Sequence, residues 1–350
     1  MAFSQSVIRS QAPVKCGICE TERPIQWKCT DCDNLLCNNC KEKVHPKFQN
    51  AKDHQVVNIK DVGQPTVVEL NIYKQYQTEL SAIGHISYCD DDSLWIHSYT
   101  DQVLQRVKPD ETKLNFLSSF DINVYGMAVT QSNNLLISTL ESRLKQISNT
   151  GTLTDSVYNV SPFHSTAVHA TSDNKVLVGG VNKEYPKQGR RVVLLMNQNG
   201  DPERVYEHYQ YKQPLFTGPW RITTTSNGNI HVVDRISDDR NRVVVLGQGG
   251  DIINIYTGDT KINRDRQFYP KDIMTTPRDN VIVADPGPHT LHILTNAGML
   301  LTYYKTSDIN IIFPLSLAFS PTGQLFIGCR RSKDSTNKDA KIFKMTISGC

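Results

Sequence analysis

From residue 84 onward the chain repeats one order of apolar and polar positions: an apolar strand, a polar turn, a second strand, a variable loop, then a third strand. Six copies can be laid out. They begin GHISYCDDDSLWIHS at Gly84, YGMAVTQSNNLLIST at Tyr125, STAVHATSDNKVLVGG at Ser165, PWRITTTSNGNIHVVD at Pro219, PKDIMTTPRDNVIVAD at Pro270 and PLSLAFSPTGQLFIGC at Pro314, at spacings of 41, 40, 54, 51 and 44 residues. The turns DDDS, SNN, SDN, SNGN, PRDN and SPTG hold residues that accept tight-turn dihedrals, and their flanks alternate as strands do, with Ile230, Val232 and Asp234 set against His231 and Val233. Helical periodicity is nearly absent. Six four-stranded units of this length predict an all-β six-bladed propeller over residues 84–350, in which each blade packs face to face on the next and closure protects the edges.

The sixth copy runs out after its third strand, Ala340 to Thr346, which leaves that blade one strand short. Thr66 to Tyr73 (TVVELNIY) precedes the first copy and reads as a strand through Val68, Leu70 and Ile72. Residues 61–83 are therefore expected to hold a linker and the strand that closes the ring. A short helix carrying Leu70, Tyr73, Gln77 and Leu80 on one face is the competing reading; the strand is preferred because an unpaired edge is a liability.

At 350 residues, with 38% hydrophobic and 21% charged positions, the chain can bury a substantial core. No apolar run approaches eighteen residues, and the start MAFSQSVIRSQAPVK lacks a signal peptide's apolar segment, so a cytoplasmic protein without membrane partners is expected. The first twelve residues are expected to be disordered. The net charge of +3 divides unevenly, residues 1–180 holding 16 basic against 19 acidic side chains and residues 181–350 holding 22 against 16. Neither half binds polyanions by bulk charge alone, and DNA is not an expected partner.

Six of the nine cysteines lie between residues 16 and 40, in three C-x2-C pairs. The full run is Cys16-x2-Cys19-x9-Cys29-x2-Cys32-x4-Cys37-x2-Cys40-x4-His45-x8-His54, eight donors that suffice for two closed tetrahedral zinc sites. Closed sites are structural. Few apolar residues lie among the ligands (Ile18, Ile25, Trp27, Leu35, Leu36 and Val44), so residues 13–60 are expected to depend on two Zn2+ ions to fold.

The order of these ligands, with CDNLLCNNC followed by two histidines and HQVVNI, resembles the B-box zinc finger of tripartite-motif proteins, and the gap between His45 and His54 looks like the type-1 subclass. The resemblance implies a cross-brace, with Cys16, Cys19, Cys37 and Cys40 on one zinc and Cys29, Cys32, His45 and His54 on the other. The fourth and fifth copies, VVDRISDDRNRVVVLGQGG and VADPGPHTLHILTNAG, resemble NHL repeats, whose propellers follow B-boxes in one branch of that family. No RING precedes Cys16, and about 29 residues separate zinc finger from propeller, too few for the family's long coiled coil. A coiled-coil dimer is therefore not expected, and ligase activity does not carry over.

In such a blade the loops from second to third strand, and from fourth strand to the next first, open on one face. Loops 182–191, 235–242, 259–266 and 330–341 together hold 15 basic and 7 acidic residues. The candidates for a ligand face are Arg190, Arg191, Arg235, Arg240, Arg242, Arg264, Arg266, Arg330 and Arg331, with Tyr185, Phe216 or Trp220 for stacking. Solvated loops with internal pairs, Asp238 with Arg240 and Asp265 with Arg264 or Arg266, are the plainer alternative.

An enzyme is weighed because some six-bladed propellers hold a metal over the channel. Asp234 and Asp285 end second strands at matching positions, but Ser98, Leu140, Gly180 and Cys329 occupy the others, so no ring of four ligands is expected. His231, His289 and His292 read as ordinary strand or loop histidines, and Cys89 and Cys329 as buried inert thiols. The expected function is a non-catalytic zinc-binding adaptor whose propeller recruits a protein ligand, with ubiquitin or innate-immune signalling as settings by resemblance. The alternatives are an RNA-binding translational regulator, a ubiquitin ligase subunit or a propeller hydrolase.

Overall fold

The computed structural model describes residues 16–21, 24–29, 32, 34–48, 51, 54, 56–58, 68–182, 189–331 and 340–349. The expected disordered start, the part of the linker over residues 61–67, and Tyr185 lie outside these. The chain divides into two compact units, Met1–Pro65 and Thr66–Cys350.

The first unit is built on a three-stranded sheet: β1 (Ile25–Cys29) lies between β2 (Leu35–Cys37) and β3 (Val56–Asn58), both antiparallel to it. Among its described residues the buried cluster consists of Cys16, Cys37 and Cys40 with Ile18, Cys19, Ile25 and Val44 against them. That is far too little apolar surface to offset the chain entropy of some 40 residues, so the cysteines must contribute by another route.

The second unit is a ring of six four-stranded antiparallel sheets. Blades one to five are residues 85–120, 126–159, 164–206, 219–256 and 272–305, each a simple meander. Blade six takes three strands from residues 314–348 and its outer strand from β4 (Glu69–Gln77), which runs antiparallel to Lys341–Ser348 from Gln77 opposite Lys341 to Glu69 opposite Ser348. The segment is a strand, not a helix, because the carbonyls and amides of Lys341–Ser348 otherwise face nothing. It extends beyond Tyr73 to Gln77, and Val68, Leu70 and Tyr76 are buried. Ile72 is 41% exposed, because the ladder skips a residue at Tyr73, pairing Ile72 with Met345 and Lys74 with Lys344.

Packing explains why the six copies differ in pattern along each blade. Second strands are covered on both faces and read as nearly continuous apolar runs, Leu94–Ser98 and Val281–Asp285 being buried throughout; the third strand Thr290–Leu294 is buried likewise, whereas the third strands Val103–Pro109 and Arg143–Ile147 are only partly covered. Fourth strands have one face in water and alternate, as in Ile252–Tyr256 and Leu300–Lys305. Six hydrophobic clusters fill the six seams between neighbouring blades, including the seam of blades six and one. The first strands touch in ring order and enclose the central channel. At one seam the approach is so close that a side chain at Gly126 would meet the backbone of Ala167 and Val168 at 2.9 Å.

Candidate zinc centre and propeller face

Two groups of donor atoms converge in the N-terminal unit, Cys16 with Cys19, Cys37 and Cys40, and Cys29 with Cys32, His45 and His54, each set lying within 4.8 Å. This is the interleaved arrangement that the resemblance implied. Cys29 and Cys37 stand on the paired strands β1 and β2, while the turn at 16–19, Cys32, and the short helices over Cys40–Val44 and His45–Lys47 supply the other donors. A tetrahedral zinc with bonds of about 2.3 Å to sulfur and 2.0 Å to nitrogen spaces its donors roughly 3.5 to 3.8 Å apart. The Cys19 and Cys37 sulfurs are 4.0 Å apart, Cys29 lies 3.5 Å from His54 Nδ1, and Cys32 lies 3.4 Å from His45 Nε2. Donor type and spacing therefore fit two structural zinc ions. Outer partners are also present: the Cys37 amide donates to Cys16 Sγ at 3.5 Å and the Asn34 side-chain amide to Cys32 Sγ at 3.4 Å.

On the propeller, the loops from second to third strand and from fourth to next first share one face, as alternating strand direction requires. Their arginines have separate fates. Arg191 is 5% exposed and donates to the carbonyls of Thr217 at 3.0 Å and Arg190 at 2.9 Å, so it holds the loop before blade four and is turned away from solvent. Arg242 is likewise spent internally, its Nε 2.9 Å from Asp234 and its Nη2 donating to the Leu215 carbonyl. Arg190 forms a two-pronged pair with Glu207, both bonds 2.7 Å, and lies over the Phe163 ring. Asp238 pairs with Arg235 at 2.6 Å, not with Arg240. Arg240, Arg264, Arg266 and Arg330 are exposed and Arg331 is half-buried. Phe216 is buried in the seam of blades three and four and offers no stacking surface.

Asp234 is fully buried and accepts hydrogen bonds from the amides of Thr217 and Gly218 at 2.8 and 2.7 Å as well as from Arg242. Burial pushes its carboxyl up against the pull of Arg242 and those amides. It is a structural anchor for the incoming loop. Asp234→Ala is expected to destabilise the propeller by about 3–5 kcal/mol, because Arg242 and two amides lose their acceptor, and Asp234→Asn by less. Denaturant unfolding of the two variants would check this; equal stability to the parent would remove the anchoring role. Asp285, also fully buried, accepts from Asn263 Nδ2 at 2.8 Å and lies 3.5 Å from His292 Nε2, while His292 Nδ1 meets the Tyr256 hydroxyl at 2.8 Å. Blade two ends its second strand at Ser138, two residues before Leu140. Among the described residues, the groups of metal-capable side chains that converge are the two in the zinc unit.

His231 is buried and held down to about 4 by that burial, and burial pushes the Cys89 thiol up to about 11 and Cys329 higher still. None of these is poised for proton transfer or attack at neutral pH. His289 is half-buried in a left-handed turn, and its Nδ1 accepts from the Phe313 amide at 3.1 Å.

The residue that organises the face was not singled out by its sequence context. Arg221, third in the strand Pro219–Thr224, is buried and reaches across the channel from blade four to blades one and two. Its Nη1 donates to the carbonyls of Tyr125 and Trp220, each at 2.9 Å; its Nη2 donates to the Tyr99 hydroxyl at 2.6 Å and His85 Nε2 at 3.1 Å. Asp272 of blade five lies 3.4 Å from its Nε as an ion pair. Burial holds His85 well below its usual range, helped by the Arg221 charge, so the imidazole is neutral and accepts. Burial raises Asp272 to about 6 against the pull of Arg221. Above this cluster the channel opens into a cavity of about 540 Å³ whose walls include Tyr99, Tyr125, Trp220, Lys271 and Arg330. Gly84 makes room for the Tyr99 ring, which a side chain at that position would strike.

Residues 16–56 match the family of ANCHR-like B-box zinc-binding domains. No match was found among curated proteins. Solved structures share the propeller fold: an aldose sugar dehydrogenase from Streptomyces coelicolor is 12% identical, covering 81% of this chain and 99% of its own, with a TM-score of 0.56. A gluconolactonase from Xanthomonas campestris is 10% identical over 79% and 89% of the two chains (TM-score 0.56), and the WD40 propeller of Doa1 is 10% identical over 79% and 97% (TM-score 0.51). These identities show fold alone, a B-box zinc domain followed by a six-bladed propeller being what the chain contains.

Proposed function

We propose that the protein is a zinc-stabilised adaptor whose propeller captures a protein ligand on the face bearing the loops between second and third strands. The observation that supports this reading is the open, aromatic and cationic mouth of the channel on that face. Arg330 lines this mouth, and Arg240 and Arg264 lie in loops of the same face; all three are exposed, with no carboxylate paired to them among the described residues. Exposed cations on a face whose channel mouth joins Arg330 and Lys271 to aromatic rings favour an acidic partner, while the donor sets that could do metal chemistry are closed and structural. The setting, whether ubiquitin signalling or innate immunity, follows only from the tripartite-motif resemblance, as does a cytoplasmic site of action.

The test is retention of partners from lysate by the full chain against a variant carrying Arg240→Glu, Arg264→Glu and Arg330→Glu. Retention is expected to fall by about tenfold or more, with the sheet signal unchanged because all three side chains are exposed. If RNA, in place of protein, were retained at physiological salt with a steep salt dependence, the translational-regulator reading would replace this one.

A further inference from the structure

We propose that the channel mouth is a built site for an anionic group, a carboxylate or a phosphate carried by a segment of the protein partner, met by Lys271 and Arg330. This rests on the adaptor reading and specifies what the propeller recognises.

Lys271 is the unusual group. It sits at the entrance of blade five, half-buried, with its Nζ 4.1 Å from the Tyr269 ring centre, and among the described residues no acceptor or carboxylate pairs with it. The charges that act on it are those of Arg221 and Arg235, and Arg330 lines the same cavity. The remaining titratable groups facing it are the phenols of Tyr99, Tyr125 and Tyr269, and Asp272 beneath, which is committed to Arg221 and to the Leu317 amide at 2.8 Å. Burial, then the charges of Arg221 and Arg235, lower the ammonium to about 8. A protein that keeps an unpaired cation among other cations in a half-closed space leaves an electrostatic cost that an incoming anion removes. Arg221 does not compete for that anion, since both its Nη atoms are already occupied; it props the floor instead.

The walls state what carries the anion. Trp220 stands edge-on to Tyr125 at 5.9 Å between ring centres, and the Tyr99 ring lies opposite against Gly84. A hole of about 540 Å³ with aromatic sides and with Lys271 and Arg330 in its wall suits one apolar side chain or chain end that terminates in an anion. Single-stranded RNA would instead require a groove tracking several phosphates with successive stacking rings.

Three pools of random heptapeptides would be passed over the full chain and the retained peptides sequenced: one with free C-terminal carboxylates, one amidated, and one amidated with a single phosphorylated residue. The carboxylate or the phosphorylated pool is expected to be retained about tenfold or more over the amidated pool, and which of the two identifies the source of the anion. Lys271→Met and Arg330→Gln should each abolish that preference, Lys271→Arg should keep it, and it should weaken from pH 7 to pH 9 as Lys271 loses its proton through about 8. Equal retention of all three pools, or a preference that survives both charge removals, overturns the site. So does loss of charge preference with Lys271→Met if Lys271→Arg loses it equally, since that reports packing. A chain that retains a lysate protein through its rim arginines yet shows no preference among pools keeps the adaptor role and loses this site. The reverse result keeps the site and loses the adaptor role.

Discussion

Stripping the metals with a strong chelator is expected to unfold residues 16–58 and leave the propeller intact. Metal analysis beforehand should find two zinc ions per chain, one for each converging donor set. The reason for the size of the effect is that the described residues of the N-terminal unit bury one small cluster composed mostly of the ligands themselves. Binding energy of roughly 10–16 kcal/mol per structural zinc is then folding energy for that unit, and nothing apolar replaces it. The propeller draws on six seam clusters that hold none of the eight ligands. Trp27 reports locally, because its indole donates to Asn38 and Lys41 lies 3.5 Å over its ring, whereas Trp95 is buried in the seam of blades one and two. Chelation should therefore shift Trp27 emission and release its neighbours while the strand signal in circular dichroism falls only slightly. Cys29→Ser should reproduce the loss in part. Simultaneous collapse of both units would show that the propeller depends on the zinc module.

Deleting the chain up to residue 78 is expected to cost the propeller its cooperative unfolding transition or drive it to aggregate. The deletion removes β4, exposes the edge of Lys341–Ser348 and takes Val68, Leu70 and Tyr76 out of the two seams that flank blade six. The strand pairing that ties the start of the propeller to blade six is lost, and the seam of blades six and one is left with only its remaining side chains. Leu70→Ala alone should cost about 2–5 kcal/mol by the cavity it leaves, and Tyr76→Ala a similar amount. Tyr73→Ser is the control: its side chain is 74% exposed at the ladder irregularity, so the change should stay within about 0.5 kcal/mol. Thermal and denaturant unfolding of the four variants settles the matter, and a deletion as stable as the parent would show that the closure contributes nothing.

The site divides into parts that local sequence reports and parts that it cannot. Zinc ligands are legible because ligand type and short spacing are themselves the chemistry: a C-x2-C turn works over four residues, and Cys16 to Cys40 announces itself without knowledge of the fold. Arg221 is the opposite case. In PWRITT it is one residue of an alternating strand, and its importance comes from Gly84, His85, Tyr99 and Tyr125, which lie 96 to 137 residues earlier. The arginine candidates fall between these extremes. Loop position placed them on one face, but Arg190 met Glu207 and Arg242 met Asp234 across strand pairs that only register decides. Phe216 looked like a stacking ring and is buried, because the loop before blade four is drawn inward by Asp234.

The two zinc sites, the number of blades and the need for a closing strand can each be read along the chain, since each follows from a pattern spanning a few dozen residues. Closure of the ring decided the rest. Wrapping six copies around one axis brings opposite blades within reach of a single side chain, and so selects which cations are spent on carbonyls and carboxylates and which, Lys271 and Arg330 above all, are left facing the channel mouth.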